Sequence, residues 1–418
     1  ASLGLTGYPT ARRYAAVPLC QHLLGYLDST GHGAAGLEKA LDAVLSGTGE
    51  NSSLVCAVTA QGTLRTGETA RLLQADSGAL GVQLTISRPV QRAVEAVAAS
   101  TMTSGCILVL DTATAAVRAS VSVPCYDPEH LADSLQAENS PFLNRALQSY
   151  AVGSVFKPVL AATALEAGLQ PVFECTGAVV VDGQIFRCAG GVPHGQVDLA
   201  AALEKSCNGY FIRLGQQLGA ESLLDAAKAF GFGQSLLLAE GFAAEAGQLP
   251  TPQELAQSGQ LANFSFGQGS LLATPMQVAA LFNTLAADGV YRAPYVLQAT
   301  LDEATGQPVE TLSHPRGRRV ISAQNAALLR AMLVQVVQQG TAQDAAGLSG
   351  GAGGKTGTAQ TGQFTPEGTE RCNLWFAGFW PAEKPRYTIV VLQDGAVHTA
   401  YSGAAIFAQV CTALEAAG

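Results

Sequence analysis

Two pairs of short apolar segments, far apart in the chain, set the limits on what this sequence can fold into. CILVLDT (106–112) and AVRASVSV (116–123) read as strands joined by a short turn, being rich in β-branched residues and too brief for helices. LWFAGFW (374–380) and YTIVVLQ (387–393) read the same way near the other end. Between the pairs the apolar spacing is helical. Residues 158–167 form a very apolar helix closed by Gly168, and 199–205 and 209–218 are helices flanking a short break. Two more are predicted over 275–287 and 322–339, and 404–417 closes the chain. Strands at both ends with helices between them predict an α+β domain whose sheet is completed by both termini.

Upstream, residues 1 to about 86 are irregular, with one amphipathic segment, GLEKALDAVL (36–45). SRPVQRAVEAVAA (87–99) predicts a helix that Ser87 can cap, with Val90, Val94 and Val97 on one face. At 418 residues the chain exceeds one ordinary core, so a second unit is expected, divided near residue 102 into 1–102 and 103–418. Hydrophobic residues make up 48% and charged residues 13%, which excludes disorder and a coiled coil. A net charge of −9 removes the electrostatic drive for binding nucleic acid, and Arg316-Gly317-Arg318-Arg319 reads as a solvated turn. No apolar run reaches the ~18 residues of a membrane span, and the opening ASLGLTGYPTARRY has no signal-peptide core. The chain is therefore a soluble protein or the trimmed soluble part of an anchored one.

The nine cysteines contain no Cys-x-x-Cys pair, and no histidine stands at zinc-site spacing from them, so no metal is expected. Cys175 and Cys188 bracket a hairpin around Asp182-Gly183 and are compatible with a disulfide or with two buried thiols.

Of six lysines, one has serine three places before it: Ser154-Val155-Phe156-Lys157. Residues i and i+3 share a helical face, and Pro158 is tolerated only in a first turn, which pins the helix start near Ser154. A lysine whose pKa is lowered by burial or a neighbouring cation can take the proton from such a hydroxyl. Taken alone, an N-cap serine followed by a chance lysine explains the pair as well. Ser206-Cys207-Asn208 falls where two helices break, so its hydroxyl and carboxamide can project into a cleft; a polar inter-helix turn would look the same. Lys355-Thr356-Gly357, with Thr358 next, follows Gly350-Gly351-Ala352-Gly353-Gly354. A glycine within this strand lets a peptide backbone approach and add to its edge, while Lys355 supplies positive potential to Lys157 and to a carboxylate.

The three motifs in this order occur together in serine β-lactamases and penicillin-binding proteins. Around them, TSGCILVLDTATAAVRASVS, GSVFKP, PHGQVDLAAALEKSCNGYF, SFGQGSLLATPMQVA, GGKTGTAQ and WFAGFWP resemble successive blocks of class B penicillin-binding proteins, the peptidoglycan D,D-transpeptidases. The likeness covers about 103–418. It extends more weakly to RRYAAVPLCQHLLGYL and GLEKALDAVLSG, which look like the family's non-catalytic pedestal. The block from Cys175 to Asn208 is most similar to sporulation or division enzymes of Gram-positive anaerobes.

The resemblance implies an antiparallel sheet flanked by helices, an all-helical subdomain and a small pedestal. It implies Ser154 as the acylated nucleophile, Lys157 as its base and Ser206 as the proton relay. Asn208 would hold the donor peptide, and Lys355, Thr356, Gly357 and Thr358 would form the carboxylate-binding strand, with an oxyanion hole from the N–H groups of Ser154 and Thr358. No cofactor is implied. The implied partners are stem peptides ending in D-Ala-D-Ala, an amine acceptor, β-lactams and a membrane glycosyltransferase. The implied location is the cell membrane with the catalytic domain outside the cytoplasm, the anchor not being seen in this chain. Two departures stand out: Val152 occupies the family's usual proline position, and the pedestal is short.

Other classes fit less well. The first rival is a hydrolase, either a serine β-lactamase or a D,D-carboxypeptidase; a class A β-lactamase needs a Glu-x-x-Leu-Asn pattern to activate deacylating water, and none is present. A sensor or inactive scaffold would not need every motif residue. No Gly-x-Ser-x-Gly elbow accompanies the six histidines, and His194 reads as a turn or pocket-wall residue. Gly267-Gln268-Gly269 reads as a helix-entry turn before Thr274-Pro275.

Overall fold

The computed structural model describes residues 14, 17–47, 53–65, 67–68, 70–73, 78–314 and 316–417. The opening residues 1–13, on which the absence of a signal-peptide core is partly read, lie outside them.

A five-stranded antiparallel sheet organises the molecule, in the order Gly353–Phe364, Glu370–Trp380, Tyr387–Ala396, Gly105–Asp111, Val117–Val123. Strands from the two ends of this region meet where Gln393 pairs with Gly105 and Tyr387 with Asp111, as the paired apolar segments predict. Every residue of Gly105–Leu110 is buried, which is why the segment reads as a nearly unbroken apolar run rather than an alternating one.

Helices cover both faces of the sheet. Gly403–Ala417 packs on one side, with Phe407 edge-on to Phe376 at 4.7 Å between ring centroids. It also packs against Arg88–Thr101, whose Val90, Val94 and Val97 are buried toward the sheet. Ser87 occupies the N-cap of that helix but makes no side-chain capping bond. On the opposite face lies Pro275–Ala286, buried at all twelve positions and started by a capping box between Thr274 and Gln277. A helix without a solvent face must satisfy its polar side chains internally. Asn283 does so by donating to Thr112 O (3.3 Å), just past the Gly105–Asp111 strand, and accepting from Thr388 Oγ1 (3.0 Å) on the neighbouring strand.

The helical half contains Lys157–Glu166, Leu199–Glu204, Asn208–Leu218, Ala220–Ala229, Ser258–Ser265 and Ala323–Gln338. It also carries short antiparallel pairs, Phe173–Cys175 with Gly195–Val197 and Ala178–Val181 with Gln184–Arg187, so it is not purely helical. In the N-terminal part, 36–45 divides into Gly36–Ala40 and Asp42–Ser46 at Leu41 instead of forming one helix. Leu80–Leu84 pairs with Leu297–Asp302, joining that part to the rest. The Arg316–Arg319 cluster is more ordered than a solvated turn: Arg318–Arg319 pairs with Val290–Tyr291, and Arg319 Nη1 donates to Asp288 O at 2.8 Å.

Arg145 is 4% exposed in its side chain and bonds to Asp394 at 2.9 Å, while also donating to Asn139 O and Ser140 O. Removing one partner of a buried ion pair strands the other. Arg145→Ala is expected to cost about 3–5 kcal/mol in denaturant unfolding; a loss below 1 kcal/mol would show that water reaches Asp394 freely.

Candidate active site

Ser154 and Lys157 enter the site on one continuous turn. Gly153–Phe156 is a 3-10 turn that passes directly into Lys157–Glu166, with Pro158 in the first helical turn where its missing N–H costs nothing. The α-helix thus begins at Lys157 rather than at Ser154, and the tighter turn places the pair near one face. Ser154 is half-buried and Lys157 fully buried. Val152 is itself buried at the head of the turn.

The second motif arrives from the break between Leu199–Glu204 and Asn208–Leu218. Ser206 adopts φ +53°, a left-handed conformation that costs a non-glycine residue on the order of 1–3 kcal/mol. The cost is offset by what it places. Lys157 Nζ donates to Ser206 O (2.8 Å), Ser206 Oγ (3.1 Å) and Asn208 Oδ1 (2.7 Å). Asn208 Nδ2 donates in turn to Arg187 O at 2.9 Å, which sets its amide orientation.

Lys355 comes from the Gly353–Phe364 strand at the sheet edge and donates to the same Ser206 Oγ at 3.0 Å. One hydroxyl therefore bridges two buried amines. Both pKa values fall below the ordinary lysine value. Burial lowers Lys157 to about 7. Burial first, then the charge of Lys157, lowers Lys355 well below its usual range. Of the two causes expected to lower Lys157, burial or a neighbouring cation, loss of water dominates there, and the amine–amine repulsion is felt at Lys355.

Glycine is required where this strand meets the nucleophile turn. A Cβ at Gly357 would sit 3.0 Å from Val155 Cγ1 and 3.2 Å from Val152 O. Thr356 and Thr358 project from the other side of the pleat, Thr356 hydrogen-bonded to Thr341 Oγ1 at 2.7 Å and Thr358 exposed. Thr341 is a neighbour of the motif with no mark in the sequence. Gly267 is more than a helix-entry turn, because its carbonyl accepts from Gly153 N at 2.8 Å and a Cβ on it would lie 1.9 Å from Gly153 O. It backs the nucleophile turn directly, at φ +86°, where glycine is favoured.

Beside the second motif, folding brings together groups whose spacing along the chain gives no hint of it. Cys175, Cys188, His194 and Cys207 place one ligand atom each within 4.8 Å of one another. No histidine stands at metal-site spacing from the cysteines along the chain, yet separate turns bring His194 beside three of them. Cys175 and Cys188 are thiols with Sγ atoms 3.7 Å apart, far beyond a disulfide bond length. A cavity of about 700 Å³ lies elsewhere, lined by Cys20, Glu38, Arg88, Arg92 and Leu301 among others. It holds none of the three motifs, so the paired lysines define the site.

Among known proteins, the penicillin binding protein transpeptidase domain family matches residues 105–412. The peptidoglycan D,D-transpeptidase PbpA of Mycolicibacterium smegmatis is 32% identical over 98% of this chain and 83% of its own length. Stage V sporulation protein D of Bacillus subtilis is 29% identical over 96% of this chain and 62% of its own. The solved D,D-transpeptidase domain of a peptidoglycan glycosyltransferase from Eggerthella lenta superposes with a TM-score of 0.80 at 27% identity, covering 98% of this chain and 93% of that one. Penicillin binding protein 3 of Mycobacterium tuberculosis, solved with aztreonam, gives 0.78 at 28% identity, covering 95% and 88%. With the match running from the first strand of the central sheet into the closing helix, the chain belongs to the penicillin-binding protein transpeptidase family.

Proposed function

We propose that the protein is a serine-type peptidoglycan D,D-transpeptidase that crosslinks stem peptides through an acyl-enzyme and is acylated by β-lactams. The observation that carries the reading is the Ser206 hydroxyl held by Lys157 and Lys355 at 3.1 and 3.0 Å, beside the turn that bears Ser154. The neutral form of Lys157, made accessible by its lowered pKa, takes the Ser154 proton as Oγ attacks the carbonyl of the penultimate D-Ala. Ser206 passes the proton to the departing amine, the peptide C–N bond breaks and D-Ala leaves. An acceptor amine then attacks the ester, forming the crosslink and returning the proton to Ser154. Asn208 holds the donor peptide, and Lys355, Thr356, Gly357 and Thr358 hold its carboxylate along the exposed strand edge. The N–H groups of Ser154 and Thr358 face the developing oxyanion, each worth about 3–4 kcal/mol in comparable sites.

We place the pedestal before residue 87 rather than 102, because Arg88–Thr101 packs onto the sheet and its closing helix. Work on the cell wall implies a catalytic domain outside the cytoplasm. No described helix is long and apolar enough to cross a membrane, so membrane attachment and a membrane glycosyltransferase partner rest on the family resemblance.

Incubation with a fluorescent penicillin tests the reading. One adduct per chain with a lifetime of hours is expected. Turnover within seconds would favour a β-lactamase, and no adduct at all removes the acyl-transfer reading.

A further inference from the structure

We propose that Thr341, which belongs to none of the three motifs, is a positioning residue for the substrate's terminal carboxylate: its hydroxyl donates to Thr356 Oγ1 and so turns the Thr356 hydrogen toward the anion. This role rests on the proposed acyl transfer. Thr341 Oγ1 and Thr356 Oγ1 are 2.7 Å apart, the usual separation for a hydrogen bond between hydroxyls. A hydroxyl carries a single hydrogen and two lone pairs, so only one partner donates in this bond.

The surroundings of Thr356 favour Thr341 as that donor. Lys355 Nζ donates to Thr356 O at 3.2 Å and approaches Thr356 Oγ1 at 3.5 Å, so the amine lies on the acceptor side of the hydroxyl. With Thr341 donating to the remaining lone pair, Thr356 keeps its hydrogen for a ligand. With the bond reversed, that hydrogen points at Thr341, and Thr341 would have to touch the carboxylate itself. An arriving anion selects the first arrangement, because Thr356 lies on the carboxylate-binding strand and a hydrogen bond to a charged acceptor is stronger than one between neutral groups. Polarisation along the run from Thr341 through Thr356 to the carboxylate strengthens both bonds.

The fold holds Thr341 ready for this. It follows the Ala323–Gln338 helix, whose end is closed by Gly340 N donating to Gln335 O and Val336 O, at 3.2 and 3.1 Å, and by Ala342 N donating to Val336 O at 3.2 Å. A Cβ on Gly340 would stand 2.6 Å from Glu204 O, so this helix end is seated against the end of Leu199–Glu204, the helix that leads into Ser206. Ala342 is buried on the far side, while Thr341 is open to solvent beside Thr356. A side chain whose backbone is fixed on both flanks loses little freedom when a ligand arrives.

The test compares benzylpenicillin with its methyl ester, which keeps the reactive ring but lacks the anion. Acylation of the full chain is followed by mass spectrometry of the intact adduct. The parent should react faster with the acid than with the ester. Thr341→Val, close to threonine in shape, should slow acylation by the acid about tenfold and by the ester no more than about twofold, at an unchanged melting temperature. Thr341→Ser, which restores the hydroxyl, should return the acid rate to within about twofold of the parent. In a Thr356→Val background, Thr341→Val should have no further effect, because the group it acts through is gone. Equal losses on acid and ester, or a serine variant as slow as the valine one, would make Thr341 a structural part and overturn the proposal. A loss that persists in the Thr356→Val background overturns the relay and puts Thr341 in direct contact with the carboxylate. Parental rates in Thr341→Val, or a parent that does not distinguish acid from ester, overturn it as well. A parent that neither compound acylates defeats the transpeptidase reading, and this role falls with it. Should Thr341→Val not fold, Thr341→Ala takes its place in the same comparison.

Discussion

Ser154→Ala is expected to abolish the covalent penicillin adduct while leaving the melting temperature close to that of the parent. The rate loss should be on the order of 10⁶, the scale seen when the nucleophile of a serine acyl-transfer enzyme is deleted. The fold should tolerate the change. Ser154 is half-buried, sits on a 3-10 turn that alanine favours, and is not among the groups bonded to either lysine. The buried amines and their acceptors therefore keep their partners, and a surface-like truncation of this kind shifts stability by about 0.5 kcal/mol. Residual labelling at normal melting would move the nucleophile elsewhere, with Ser206 the nearest hydroxyl between the two amines.

Lys157→Ala should slow acylation by about 10²–10⁴, the usual contribution of a general base. A drop under tenfold would hand the role to Lys355 or to water. This variant also leaves Ser206 O and Asn208 Oδ1 without their buried donor, so a loss of roughly 1–3 kcal/mol per acceptor accompanies it. Rates must therefore be measured well below its melting transition. The parent protein offers an independent check through pH. The base works only when neutral, and the folded pKa of Lys157 lies at about 7, so acylation should rise with pH through that value and level off above it. Between pH 6 and pH 8 the neutral fraction, and with it the rate, grows about tenfold. The groups facing the amine are Ser206, Asn208 and the ring of Phe211, with Lys355 beyond the shared hydroxyl and the thiols of Cys188 and Cys207 nearby. A rate that stays flat from pH 6 to pH 8 would mean that Lys157 enters the reaction already neutral or takes no part in the proton transfer.

How much of this was legible depends on how local each cause is. The strands at 106–123 and 374–393 are visible because burial on both faces makes them continuous apolar runs. The helices at 158–167 and 275–287 are visible because proline and glycine punctuate them. The Ser154–Lys157 pairing is local too, since one turn sets it. What lies beyond one turn is not visible. The bond from Lys355 to Ser206 closes a loop of 149 residues, and motif order alone hints at it. Gly267 looks like any turn glycine until Gly153 is seen against it. The cysteine–histidine group escapes the usual metal spacing because its four members come from separate turns, drawn together by the strand pairing of Gly195 with Cys175 and by the helix break at Cys207. The 36–45 segment fails for the opposite reason: its periodicity is good, but a bend at Leu41 interrupts it.

The central sheet also has a kinetic consequence. Because Tyr387–Ala396 pairs with Gly105–Asp111, the third and fourth strands of the sheet are contributed by opposite ends of the catalytic region. A chain emerging amino terminus first carries Gly105–Val123 as a lone hairpin, one apolar edge unsatisfied, until Tyr387–Ala396 appears roughly 260 residues later. Loop closure over such a span is entropically costly and makes sheet formation slow. During that wait the exposed edge is open to aggregation, so folding in the cell should depend on something that shields this hairpin until its partner strand is made.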